Sequence, residues 1–348
     1  MGNNRRNSIM KRIILFAFAL MLSAATFAQQ QLATLNHNNN ITTYYGVDAL
    51  ISAHADAVNG DIITLSGGMF DATDITKAVT IRGAGAWGDA TSSITMIGND
   101  FKITIPEEST YHFTMEGIYV LNTVRCMDVH NPQFIKCHFQ TVCNNYYTGH
   151  WTETGTMYDA SFINCILVYW DNYYNSNIRG TQFINSVVMS AYYYRLTNDT
   201  YINCVVRQDP IYAASRMFQN CVLYWDYTSA NTPSDNSSTS FNCLFVQMNS
   251  DESYTDELFA PLAGHELWNI RGMGNVFKSF DGTNGDNFEL LNSVASSYLG
   301  TDGTQIGIYG GPMPFDPHVT NPLIRRINVA SRSTSDGKLP VDIEVVDE

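Results

Sequence analysis

A short pattern recurs through the middle of this chain about every twenty residues. It reads Phe134-Ile135-Lys136-Cys137, Phe162-Ile163-Asn164-Cys165 and Phe183-Ile184-Asn185-Ser186. It continues as Tyr201-Ile202-Asn203-Cys204, Met217-Phe218-Gln219-Asn220-Cys221 and Ser240-Phe241-Asn242-Cys243, and a weaker early copy ends at Gly117. Along the Cys column the steps are 20, 28, 21, 18, 17 and 22 residues. Self-similarity at such a period means that each copy is one unit of a stack, because no single copy can bury its own apolar face.

The residues around each copy specify the unit. Val187-Val188, Val205-Val206 and Val222-Leu223 follow directly on the pattern, and short apolar runs of this kind suit strands of a parallel sheet with both faces covered. Asn tolerates the left-handed region, so the Asn before each small residue predicts a tight bend between two strands. One bend per repeat and no helical spacer predict a coil that stacks on itself at about 4.8 Å per rung. The Phe and Cys side chains would then form inward columns, and the Asn amides would hydrogen-bond up the bend. A leucine-rich repeat would need its Leu and Asn consensus, and a propeller a longer period with antiparallel hairpins; neither is visible. An aromatic content of 12% with 15% charged residues agrees with an all-β protein.

Seven cysteines are an odd number for a disulfide framework, and five of them share one repeat position that Ser186 holds in the one remaining copy. A position that accepts Ser is a position for a small buried residue, so the column is read as free thiols. Cys126 and Cys143 lie off it, and pairing between them stays open.

Before the repeats, Val47, Leu50, Ile51, Ala55 and Val58 fall on one helical face, with Asn59-Gly60 as its stop; this short helix is expected to cap the N-terminal end of the stack. Strands are expected over 61–65, 78–82 and 93–97. The run Gly60-Asp61-Ile62-Ile63-Thr64-Leu65, then Gly67-Gly68-Met69-Phe70 and Val79-Thr80-Ile81-Arg82-Gly83-Ala84-Gly85, together with the Phe-x-Asn-Cys copies, resembles the pectin-lyase-like right-handed parallel β-helix superfamily. Phe288-Glu289-Leu290, Ser293, Gly300-Thr301-Asp302-Gly303 and Ile306-Gly307 are similar to that superfamily's closing coil, with Ser293-Val294-Ala295 where Ser-Pro-Ala is usual. The resemblance implies a right-handed parallel β-helix over 45–312. Activity does not follow, since the fold hosts lyases, hydrolases, adhesins and inert scaffolds. After Pro312, Pro314, Pro317 and Pro322 mark a linker, and residues 313–348 are expected to form that linker plus a small β tail of two strands around Asp336-Gly337.

Arg5, Arg6, Lys11 and Arg12, the apolar run Ile13 to Leu22, and the small residues Thr26 and Ala28 read as a secretory signal cleaved after Ala28, with 29–44 as a flexible N-terminal segment. The expected destination is the periplasm, the outer surface or the medium. The apolar run is short for a membrane span, and no later segment is long and apolar enough to cross. Without the leader the chain holds 15 basic and 33 acidic residues, a formal net of −18. That field disfavours nucleic acid and anionic lipid, and repels polyanionic sugars unless a local basic groove or a cation intervenes.

No catalytic, metal or cofactor set stands out. Gly83-Ala84-Gly85-Ala86-Trp87-Gly88 has the spacing of a dinucleotide loop, but the next segment reads as a strand where a helix N-terminus is needed, so it is read as a turn. Asp281-Gly282-Thr283-Asn284-Gly285-Asp286 departs from the calcium-loop spacing at its third position and is read as an ordinary turn, with calcium a weak alternative. Lyases of this fold use an Arg or Lys base with calcium-holding carboxylates, and hydrolases use several Asp on one strand face. Here Asp159, Asp171, Asp199, Asp209 and Asp226 share no offset, Arg207 reads as a solvated strand end, and Gly149-His150-Trp151 is a lone partial match.

The surplus is aromatic. Tyr146-Tyr147, Tyr173-Tyr174, Tyr193-Tyr194 and Tyr212 lie seven to ten residues past the Cys position (Ser186 included), and Trp170 and Trp225 five and four past it. Tyr147, Trp170, Tyr173, Tyr193, Tyr212 and Trp225 are therefore the candidate glycan-binding residues, forming either a sugar-stacking ladder or a self-stacked shield on the barrel wall. The functional expectation is an exported, non-catalytic β-helix acting at the cell surface and binding glycan. A polysaccharide lyase or glycoside hydrolase is one alternative, and a purely structural surface protein is another.

Overall fold

The computed structural model describes residues 31–87, 94–105, 110–147, 152–172, 177–189, 191–193, 198–208, 216–225, 238–247, 260–261, 266–280, 287–316, 323–329 and 341–346. The molecule is a parallel β-solenoid. Among the described residues, one sheet of 12 strands and one of 14 run the length of the stack. In the first, Phe134, Phe162, Phe183, Tyr201, Phe218 and Ser240 are directly opposite one another, rung on parallel rung. In the second, Ile166, Val187, Val205, Val222 and Leu244 align in the same way. A third face branches from the second sheet where Asp128 to His130, Thr156–Tyr158 and Asn177–Arg179 pair in parallel.

The corner between the first two sheets is where the repeat acts. Lys136, Asn164, Asn185, Asn203, Asn220 and Asn242 all have φ between 46° and 56°, and Gly117 has φ 64°. A left-handed residue turns the chain through the corner without breaking the ladder, since its own N–H still reaches the next rung: Asn185 N donates to Ile202 O at 2.9 Å and Asn203 N to Gln219 O at 2.9 Å. The following Cys turns inward. Cys204 Sγ donates to the carbonyls of Ile202 and Phe183, both at 3.2 Å, and Ser186 makes the same pair of bonds. All seven cysteines are buried and none is in a disulfide. Cys126 and Cys143 form no disulfide: Cys126 lies in the interior cluster, whereas Cys143 is registered against the ion-paired Arg125 of the adjacent strand.

Inside, the Phe column is a continuous ring stack. Centroids from Phe134 through Phe162, Phe183 and Tyr201 to Phe218 are 4.7 to 5.0 Å apart, with interplanar angles of 6° to 21°. The rung spacing itself imposes this offset parallel stacking.

Several expectations change. Residues 31–45 are not a flexible segment. Leu32–His37 and Asn40–Tyr45 form an antiparallel hairpin, which joins the first sheet antiparallel to Ile62–Leu65 and covers the open edge that a bare first coil would expose. The helix is Ala49–Asp56 and buries Ala49, Leu50, Ala53 and His54, while Val47 and Val58 lie beyond its ends and are exposed. Its C-terminal carbonyls are closed by Lys77, whose Nζ donates to His54 O and Ala55 O at 2.6 and 2.8 Å. Residues 287–316 do not close the last coil. They run back along the flank as a strap, and Leu290, Val294, Ile306 and Ile308 bury the outer faces of Val187, Val205, Val222 and Leu244 in a second core. The paired valines of the repeat thus serve two cores, with alternate side chains facing the barrel and the strap.

The corner amides face this strap instead of bonding up the bend. Asn242 Nδ2 donates to Leu299 O at 3.3 Å, Asn220 Oδ1 accepts from Thr301 N at 2.9 Å, and Asn185 Nδ2 donates to Ile308 O at 2.8 Å and Gly310 O at 2.7 Å. Gly311 has φ +75°, and a Cβ there would lie 2.0 Å from Asn203 Nδ2, so no other residue fits this crossing. Beyond the strap, Leu323–Val329 and Val341–Val346 pair antiparallel.

Candidate functional site

The aromatic residues singled out by spacing distribute over several elements. Tyr147 ends Asn145–Tyr147, which pairs antiparallel with Thr152–Thr154 in a local hairpin. Tyr193 belongs to Ala191–Tyr193 and is registered against Asn172 of the preceding coil. Trp225 ends Val222–Trp225, between Gln208 and Gln247 in neighbouring rungs. Tyr173 and Tyr212 lie outside the described residues.

Trp170 is the correction. Its side chain is 0% exposed and packs edge-on against Phe162 and Phe183, with centroids 5.5 and 5.4 Å away. It is an interior residue and takes no part in a surface ladder. Leu167 and Trp170 both lie in the interior cluster although three residues apart, so the alternation is broken between them. The two tryptophans also differ in register, Trp170 standing four residues after Ile166 and Trp225 three after the aligned Val222. The residue at the offset of Trp225 is Tyr169, which spacing from the Cys column had passed over and which is 41% exposed.

The remaining sequence candidates separate on burial. Arg207 lies within Val205–Gln208 opposite Tyr224, not beyond the strand end. Asp199 and Arg216 occupy successive rungs, Met217 N reaching Asp199 O at 3.0 Å, and both are buried; Arg216 Cζ lies 5.7 Å from the Phe218 ring centroid. Burial removes this pair from any surface groove. Gly83 and Gly85 donate to Glu116 O and Gly117 O, and the next described element is the strand Thr95–Ile97, so the glycine run is a turn between coils. Gly88, Asp209, Asp226, Gly149-His150-Trp151 and the 281–286 turn lie outside the described residues. Among the described residues, no three His, Cys, Asp or Glu side chains are grouped to hold a metal, and no helix is long and apolar enough to cross a membrane.

A second aromatic group, not anticipated from the sequence, fixes the end of the strap. His138, at the start of a second-sheet strand, is stacked between Tyr119 (centroids 4.2 Å, interplanar angle 10°) and Trp87 (5.7 Å, 12°). Phe315 of the strap meets Trp87 edge-on at 5.7 Å, and its neighbour Asp316 pairs with Lys136 at 2.9 Å. His138 is 4% exposed, and its Nε2 is buried without a hydrogen-bond partner. Burial pulls its pKa down from 6.5 to about 4. The flanking rings favour an imidazolium by about 1–2 kcal/mol, but a buried cation lacking an acceptor costs several, so the ring stays neutral at pH 7.

No protein-family model matches this chain, and no curated protein or solved structure matches it.

Proposed function

We propose that this protein is an exported, right-handed, pectin-lyase-like β-solenoid that works at the cell surface without chemistry of its own, binding a polysaccharide along the flank where the second-sheet strands end. The observation that carries the reading is Tyr169, 41% exposed on a rigid strand. One coil later Tyr193 is registered three residues further along, against Asn172, and Trp225 has the offset of Tyr169 three coils on. Rings repeated along one flank of a solenoid suit the apolar faces of successive sugars, and a rigid scaffold lowers the ordering cost of binding. The net charge of −18 without the leader favours neutral over polyanionic glycans.

The test incubates the protein, from residue 29 onward, with neutral and acidic polysaccharides and measures both retention and new sugar ends. Retention of a neutral polysaccharide that falls at least tenfold in Tyr169→Ala and Trp225→Ala supports the proposal. New sugar ends would replace it with the lyase or hydrolase reading. Neither retention nor cleavage would leave the purely structural surface protein.

A further inference from the structure

The strap is joined to the solenoid along its length by fixed, non-titrating contacts to the Asn corners, but its end is closed by a titratable ring. We propose that this end is an acid-released latch: protonation of His138 within the Trp87–His138–Tyr119 stack undocks Phe315 and Asp316 and lifts the strap from the outer face of the second sheet.

The geometry carries this. The stack has four members in sequence, Tyr119, His138, Trp87 and Phe315, and only Phe315 belongs to the strap. Phe315 N also donates to Ile308 O at 2.6 Å, and its ring meets Tyr309 edge-on at 6.1 Å. Displacing Phe315 therefore loosens the segment that reaches Asn185. His138 Nε2 faces no acceptor, so a proton added there has no partner until the stack opens to water.

The charged and titratable groups around it do not change the sign. On its own turn Lys136 is a cation, held by Asp316. One rung back, Glu116 is engaged by Arg82 at 3.2 Å, and Tyr119 supplies a neutral ring. The next rung presents Ile166. From the strap, Tyr309 donates its hydroxyl to Asn287 O at 2.8 Å, and burial raises its phenol pKa, so it stays neutral.

The docked state takes up the His138 proton near pH 4 and a released state near 6.5. The released population should therefore rise about tenfold per pH unit as the pH falls between those values, on the order of a hundredfold in all. The test is amide hydrogen exchange of strap residues 306–316 in the full chain, corrected for intrinsic rates, from pH 7 to 3.5. The expected result is that slope in the wild type, no slope in His138→Phe, which keeps a ring but cannot take a proton, and an unchanged slope from a raised baseline in Asp316→Asn. A slope that survives in His138→Phe, or vanishes in Asp316→Asn, would overturn the proposal. Should His138→Phe fail to fold, a proton NMR titration of His138 decides: about 4 in the intact chain, moving toward 6.5 when Phe315 and Asp316 are both replaced by Ala. Titration near 6.5 in the intact chain, or no movement in the double variant, would refute the latch.

Discussion

Ser186 Oγ accepts the backbone N–H of Cys165 at 3.0 Å and turns its own proton to the carbonyls of Ile184 and Phe162, at 2.9 and 3.1 Å. The cysteine sulfurs of the other coils take the same place: Cys204 N donates to Cys221 Sγ at 3.4 Å, and Cys221 N to Cys243 Sγ at 3.5 Å. The column is a chain of small donor–acceptor side chains that ties each corner to its neighbours.

Interchange within this chemistry should therefore be mild and its removal should not. Ser186→Cys and Cys165→Ser are expected to change unfolding free energy by less than about 1 kcal/mol, and Ser186→Ala and Cys204→Ala to cost about 1–2 kcal/mol each, read from urea midpoints at constant slope.

The Asn corners carry both a backbone and a strap role. Asn185→Ala puts at φ 46° a residue without the tolerance of Asn for the left-handed region and deletes both bonds to Ile308 O and Gly310 O. A loss of about 2–4 kcal/mol is expected. Asn185→Gly relieves only the backbone part and should recover about 1 kcal/mol of it.

The two aromatic neighbours at the strand end should behave oppositely. Trp170→Ala removes an interior ring wedged against Phe162 and Phe183 and is expected to cost about 3–5 kcal/mol. Tyr169→Ala should leave stability within about 0.5 kcal/mol. Thermal or urea unfolding of the two variants separates them.

Much of the architecture was legible because the period, the Asn and the small residue after it each express one geometric demand, namely a left-handed corner followed by an inward side chain with no room to spare. Phe134, Phe162 and Phe183 could be placed inside on that ground alone. The strap was not legible as a strap, since Gly300, Gly307 and Gly311 look like ordinary turn residues until the Asn row beneath them is known. Trp170 was misplaced because the alternation slips between Leu167 and Trp170, which both face the interior, whereas an unbroken period of two would have turned Trp170 to the side of Ile166. The stack at His138 gave no signal, because its rings come from four separate segments. Of the glycan candidates, Tyr147, Tyr193 and Trp225 are located by their strands.

The N-terminal cap contributes its own pH dependence. His54 Nε2 accepts the Thr76 N–H at 3.3 Å, and burial, with Lys77 nearby, lowers the pKa from 6.5 to about 4. The folded value lies below the unfolded one, so the full contribution is present above pH 6.5 and falls away as the pH drops toward 4, by up to about 3 kcal/mol. Urea midpoints of the wild type should decline across that window, and His54→Gln should flatten part of the decline.

The central claim is vertical stacking of the repeats, and spacing between rungs tests it most directly. Spin labels placed pairwise from Gln133 to Gln182, Thr200 and Thr239, which lie two, three and five rungs away on the outward side of the first sheet, should give double electron–electron resonance distances that increase by about 4.8 Å per rung. The native thiols are buried and should stay unlabelled in the folded protein. Distances that fail to grow in proportion to rung number would contradict the account.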